Sequence, residues 1–193
     1  MSSTRDSSKA AGVPTTKDGF EVLDACHREI LLTLNKLDSL VLRLGSGPDA
    51  QARAMASEIV RFFSNTARQH HEDEERHVFP NLLTSGDPEI VQAVQRLQQD
   101  HHWLDADWQE LWPQLDAVAC GQSWYDLDVL REDVEVFAAL LHDHIALEES
   151  CIYPQARSRL RASERREMGR EMAARRRAER KAKSTSAAPS QRA

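Results

Sequence analysis

The stretch His70-His71-Glu72-Asp73-Glu74-Glu75-Arg76-His77-Val78-Phe79-Pro80 returns, in its essentials, as His144-Ile145-Ala146-Leu147-Glu148-Glu149-Ser150-Cys151-Ile152-Tyr153-Pro154. Both runs carry His, then Glu at +4 and +5, an aromatic at +9 and Pro at +10. Residues four apart on an α-helix point about 40° from one another, so His70 with Glu74, and His144 with Glu148, offer a nitrogen and a carboxylate to one place. A neutral imidazole supplies one lone pair, and a carboxylate has two oxygens able to bridge two cations. The proline ends or bends its helix shortly afterwards.

The sequence around these runs places both on inward helix faces. Leu23, His27, Ile30, Leu34, Leu37, Val41 and Leu44 alternate at spacings of four and three. Ile90, Val94, Leu97, His101, Leu104, Trp108, Leu111 and Leu115 do the same, as do Leu130, Val134, Phe137, Leu141, His144, Glu148 and Cys151. The second helix is less regular: Ile59, Phe63, Thr66 or Ala67, His70, Glu74, His77. Such spacings keep a set on one helix face. Each helix therefore places a histidine where a leucine would otherwise sit.

Turn signals at Gly45-Ser46-Gly47-Pro48, Ser85-Gly86-Asp87-Pro88 and Cys120-Gly121-Gln122-Ser123 separate helices near 18–44, 49–83, 88–118 and 124–153. Short connections between long helices make neighbours antiparallel, so the expected fold is all-α, an up-down-up-down four-helix bundle. Counted from the helix ends at about 1.5 Å per residue, His27, His70, His101 and His144 fall within roughly one turn of the same level. One inward histidine is more often a satisfied core residue. Four, together with two glutamates, are different, because a buried ionised carboxylate costs several kcal/mol unless it is paired or binds a metal. The candidate metal ligands are His27, His70, Glu74, His101, His144 and Glu148.

On these residues the chain resembles the hemerythrin-like (HHE cation-binding) family, whose pattern H…HxxxE…H…HxxxE is supplied by His27, His70 with Glu74, His101, and His144 with Glu148 over roughly residues 18–154. The resemblance implies a non-haem di-iron centre, two ions bridged by the two glutamates and an oxo or hydroxo group. Two six-coordinate ions need about twelve donors. Four histidines, two bridging carboxylates and a shared oxygen fill about ten of them. Family members with a fifth histidine leave four candidates here: His77, favoured because it lies seven residues after His70, and His71, His102 and His142. His71 and His102 sit about 100° round from their neighbours and read as flanking residues. A rotated second helix would put His71 and Glu75 in place of His70 and Glu74, but the proline spacing of the repeat favours the latter pair.

Other metal chemistries fit less well. A zincin needs HExxH, and residue 75 is Glu where the second histidine belongs. A ferritin-like centre needs ExxH on two helices; Glu74 with His77 is one match and there is no second in the last helix. A tetrahedral zinc site would use fewer donors than converge here.

Composition bounds the rest. The net charge of −6 hides an asymmetry: residues 155–193 hold 13 Arg and Lys against 4 Glu, leaving the rest of the chain near −15. An acidic body is unsuited to gripping phosphates, so no nucleic-acid partner is expected. No apolar run spans a membrane, no secretory leader is visible, and three cysteines at irregular spacing suggest neither a disulfide framework nor a zinc ribbon. A cytoplasmic setting and a monomer or weak homodimer are expected. Domain organisation reads as a disordered segment over 1–17, the bundle over 18–154, and a basic tail over 155–193, helical at first and then disordered. In that tail Leu160, Met168 and Met172 would let a fifth helix lean on the body. Cys26 and Cys151 read as small apolar residues, and Tyr153 and the four tryptophans as structural ones. For function, a histidine-rich set with two carboxylates favours binding or sensing of dioxygen, nitric oxide or iron without turnover. The alternative is an enzyme that consumes peroxide or nitric oxide, or repairs iron centres.

Overall fold

The computed structural model describes residues 17–186, and those described residues are helical throughout apart from short connections. Four rods form the bundle. The first is α1 (Gly19–Leu44). The second runs through α2 (Ala50–Arg61), a π-helical turn at Phe62–Ala67, α3 (Arg68–His77) and α4 (Phe79–Leu83). The third is α5 (Pro88–Ala119). The fourth runs through α6 (Leu127–Leu147), a second π-helical turn at Glu148–Ile152, and α7 (Tyr153–Arg159). A separate helix, α8 (Ala162–Ser186), follows. All but Lys17 of the segment expected to be disordered over 1–17 lies outside the described residues, as does the last part of the tail, 187–193.

Each rod begins on an aspartate whose carboxylate accepts from backbone N–H groups of the first turn: Asp18, Asp49, Asp87 and Asp126. Asp18 also forms a capping box with Glu21. A cap of this kind contributes about 1 kcal/mol and fixes where the helix starts. Gly86 and Gly121 hold positive φ of 75° and 73° in two of the connecting turns, a conformation that side chains disfavour. Short turns then make successive rods antiparallel, and the fourth packs back on the first, closing an up-down-up-down ring.

The two π-helical turns explain why the second apolar stripe looks irregular. Ile59, Phe63 and Ala67 are buried at consecutive spacings of four, a drift that an unbroken α-helix would carry off the core face. One extra residue in the turn absorbs it. In the fourth rod the same device buries Ile152, and Cys151, expected on the inward stripe, is only partly buried. The prolines bend the rods rather than end them: Pro80 and Pro154 each lie in the first turn of a following segment.

The core is in two parts. One cluster runs from Cys26 and Ile30 to Leu44 with Ile59, Phe63, Trp108, Leu115, Leu130 and Phe137. The other gathers Phe20, Leu23, Phe79, Leu97, Ile152, Tyr153, Met168 and Met172 at the opposite end. Between them lies a buried polar layer. Of the tryptophans, Trp108 is core, whereas Trp103 and Trp124 are exposed.

The basic tail does form a fifth helix that packs on α1. Met168 and Met172 are buried, and Gly169 rides so close that a Cβ there would lie 2.1 Å from the Lys17 carbonyl oxygen. Its cations face the acidic body: Arg165 Nε donates to Asp18 at 2.7 Å, and Arg175 and Arg176 both donate to Asp73, the latter at 2.7 Å.

Candidate metal centre

The polar layer is built by one turn from each rod. α1 contributes His27, α3 contributes His70, His71 and Glu74, α5 contributes His101, and the fourth rod contributes His144 and Glu148. His27, His70, Glu74 and Glu148 are wholly buried, with His144 1% and His101 6% exposed. All six side chains expected from the sequence meet here.

They sort into two overlapping groups, His27, His70, Glu74 and Glu148 in one, and His71, Glu74, His101 and His144 in the other, each with its donor atoms within 4.8 Å of one another. Glu74 belongs to both. Its Oε1 lies 3.3 Å from His70 Nε2 and its Oε2 3.5 Å from His101 Nε2. Glu148 spans the same divide, with Oε2 at 3.1 Å from His27 Nε2 and Oε1 at 3.3 Å from His144 Nε2.

Of the four further histidines weighed from the sequence, the one that joins the cluster is His71. His77, the favoured candidate in sequence, turns toward α8, where its Nε2 lies 3.1 Å from Glu171. His102 and His142 are exposed. The reason is angular. With His70 at 0° on the helix, Glu74 falls near 40° and His71 near 100°, so the glutamate stands between the two imidazoles. A site with one focus excludes His71; a site with two foci on either side of Glu74 needs it. The stacking of His71 on His101, with ring centroids 4.2 Å apart at 15°, fixes it there.

Carboxylates orient the histidines from behind. His27 Nδ1 lies 3.0 Å from Glu149 Oε1 and His101 Nδ1 2.9 Å from Glu75 Oε1, so each Nδ1–H donates outward. His144 Nδ1 has the Asp100 carboxylate at 3.7 Å. This leaves each Nε2 aimed at the centre, the arrangement in which an outer carboxylate sets the tautomer of a ligating imidazole. Glu75 and Glu149 are the +5 glutamates of the repeat, a signal present in the sequence whose role only the fold reveals.

The donor atoms fit a cation. Nε2 of His70, His71, His101 and His144, Oε2 of Glu74 and both oxygens of Glu148 are buried with no hydrogen-bond partner. Such atoms are costly to leave bare. Without a cation, protons must take up the load. Burial works against charge on His144, but Glu148 and Asp100 raise its pKa to about 10. Burial likewise opposes protonation of His27, which Glu148 and Glu74 nevertheless raise. Burial and the neighbouring imidazoles hold His70 and His71 well below the usual range. Glu74 is raised by burial and by Glu148, whereas Glu148, despite its burial, is held well below its usual value by His144 and His27.

A cavity of about 500 Å³ reaches this layer, lined by Phe63, Leu104, Trp108, Phe137, Leu141 and His71 among others. Trp108 Nε1 donates to Ser64 Oγ at 3.2 Å on its wall. Cys26 lies outside the donor set, and burial pushes its thiol up to about 12, which keeps it inert.

Among relatives, the chain is 31% identical over 163 residues to an uncharacterized protein of Haemophilus influenzae, covering 84% of this chain and 92% of the relative. Residues 18–156 match the family described as the hemerythrin HHE cation binding domain. Matching over most of its length, and carrying a buried His and Glu cluster that can hold metal, the chain belongs to the hemerythrin HHE cation-binding family.

Proposed function

We propose that this protein holds two iron ions, one at His27, His70, Glu74 and Glu148 and the other at His71, His101, His144 and the same two glutamates. It uses them to bind or sense dioxygen, nitric oxide or iron itself. The observation that carries this reading is the pair of donor groups joined through Glu74, with the inward atoms of His70, His71, His101, His144 and Glu148 left without hydrogen-bond partners. Bound iron would supply an exchangeable coordination position with access to two oxidation states. The rest is the work of the chain. Five imidazoles and two carboxylates set the charge and hold the donors on rigid helices. Glu75 and Glu149 keep the His101 and His27 imidazoles turned inward, and the cavity beside His71 gives small ligands a way to the polar layer.

Histidine-rich ligation favours binding over turnover, since ferritin-like di-iron carboxylate sites use four glutamates. A reducing, cytoplasmic setting suits three free thiols, Cys26, Cys120 and Cys151. No described helix is long and apolar enough to cross a membrane.

The test is metal analysis followed by oxygen exposure. After iron-replete expression the purified chain should carry about two irons, and the reduced protein mixed with oxygen should show a reversible charge-transfer band. Iron near zero overturns the reading. Irreversible oxidation with consumption of added peroxide overturns binding in favour of an enzyme.

A further inference from the structure

The two ends of the centre are unequal. With both glutamates bridging and one shared oxygen, the His71, His101 and His144 end has six donors, whereas the His27 and His70 end has five. We infer that the phenol oxygen of Tyr153 is the missing sixth donor, a terminal ligand on the cation held by His27 and His70; this rests on the two-iron reading above.

The hydroxyl lies where such a donor belongs. It is 3.1 Å from His27 Nε2 and donates a hydrogen bond to Glu74 Oε1. Neighbouring donors of an octahedral ion with bonds of about 2.1 Å stand about 3.0 Å apart. The ring is 2% exposed, stacked on His27 at 5.2 Å and 9°, and set edge-on to Phe20 at 5.6 Å. It has little freedom to point elsewhere.

The backbone is shaped to bring it there. Five residues beyond Glu148 on an unbroken α-helix, Tyr153 would face about 140° away from that glutamate. The π-helical turn at Glu148–Ile152 absorbs one residue and brings the difference to about 40°, the angle of an i, i+4 pair. The other copy of the repeat serves as an internal control. Its matching residue, Phe79, stacks on His101 at 5.5 Å, as Tyr153 stacks on His27, but it carries no oxygen and follows no such turn. Both ends of the centre have an aromatic cover. Only the end with five donors has a hydroxyl on it.

Ligation exchanges one proton for the metal: the phenol O–H bond breaks, an O–metal bond forms, and the proton leaves to bulk water with no change of oxidation state. An incoming anion must then displace Tyr153, which makes the site a guarded one.

The experiment compares full-length, iron-loaded wild type with Tyr153→Phe in the ferric state, by iron content, resonance Raman spectroscopy and azide titration. The wild type should carry two irons and show phenolate ring modes enhanced within a visible charge-transfer band. The chain's other tyrosine, Tyr125, packs with the apolar cluster at the far end of the core, so the modes are assignable. Tyr153→Phe should keep its iron, lose those modes, and bind azide about tenfold more tightly, about 1.4 kcal/mol. A wild type with two irons and no phenolate modes overturns the assignment and leaves the hydroxyl as a hydrogen-bond donor to Glu74. A wild type without iron overturns the two-iron reading and the assignment with it. The wild-type spectrum decides by itself, so a variant that fails to fold does not spare the proposal.

Discussion

Asp73 sits one residue before the shared glutamate, with no exposure to solvent, and both of its oxygens receive guanidinium groups from α8. Asp73→Asn keeps the shape and removes the anion. The Arg175 and Arg176 side chains are 15% and 22% exposed, so water can relieve them only in part. Arg175 Nε and Nη1 already lack hydrogen-bond partners among the described residues, with Glu171 a distant 3.9 Å from Nη1. Breaking a fully buried ion pair costs about 3–5 kcal/mol and an exposed one about 0–1 kcal/mol. The partial exposure of the arginines and the oxygen that asparagine retains place this change at about 2 kcal/mol. For a chain of this size that lowers the melting temperature by about 4–8 °C. The measurement is calorimetry on metal-free protein, so that metal binding does not add its own stabilisation. Glu171→Gln is the control: its carboxylate is 47% exposed, and losing its pairing with His77 and Arg76 should cost under about 1 kcal/mol. If Asp73→Asn melts within about 0.5 kcal/mol of wild type, the clamp does not hold α8 to the body and the reasoning fails.

Two further outcomes bear on the centre. His71→Ala should lower iron content toward one per chain while His77→Ala leaves it at two, by metal analysis; the reverse result would restore His77 as the fifth ligand. Metal-free protein should be most stable near the ordinary histidine pKa of about 6.5, with thermal melts falling on both sides. Below it the unfolded chain gains protons that the buried His70 and His71 refuse, and lower still the stabilisation from ionised Glu148 is lost. Above it the contribution of His144, complete below 6.5, is lost progressively up to about pH 10. Melts that do not change between about pH 7 and 9 would refute this.

The bundle and most of its centre were legible because the information is local. The four-and-three spacing of Leu23, His27, Ile30 and Leu34, and its counterparts, states which face is inward, and His with Glu at +4 states which polar groups share it. What the sequence concealed follows from three physical causes. His71 reads as a flanking residue because a single focus makes its 100° offset disqualifying, whereas the structure sets it with Glu74, His101 and His144 in a second group of donors. Ile152 in place of Cys151 was missed because an α-helical period was carried through a π-helical turn; the run of fours at His144, Glu148, Ile152 and Ala156 was the available sign. The partnership of Asp73 with Arg175 and Arg176 joins residues about a hundred positions apart, and periodicity carries no information at that range.

The seat of Gly169 on the Lys17 carbonyl ties the final helix to the threshold of the first. On a growing chain, the ligand-bearing rods all leave the ribosome before α8 does. Sealing of the Phe20 end is therefore a late event of biosynthesis, and until then Asp73 confronts the bundle as an uncompensated anion.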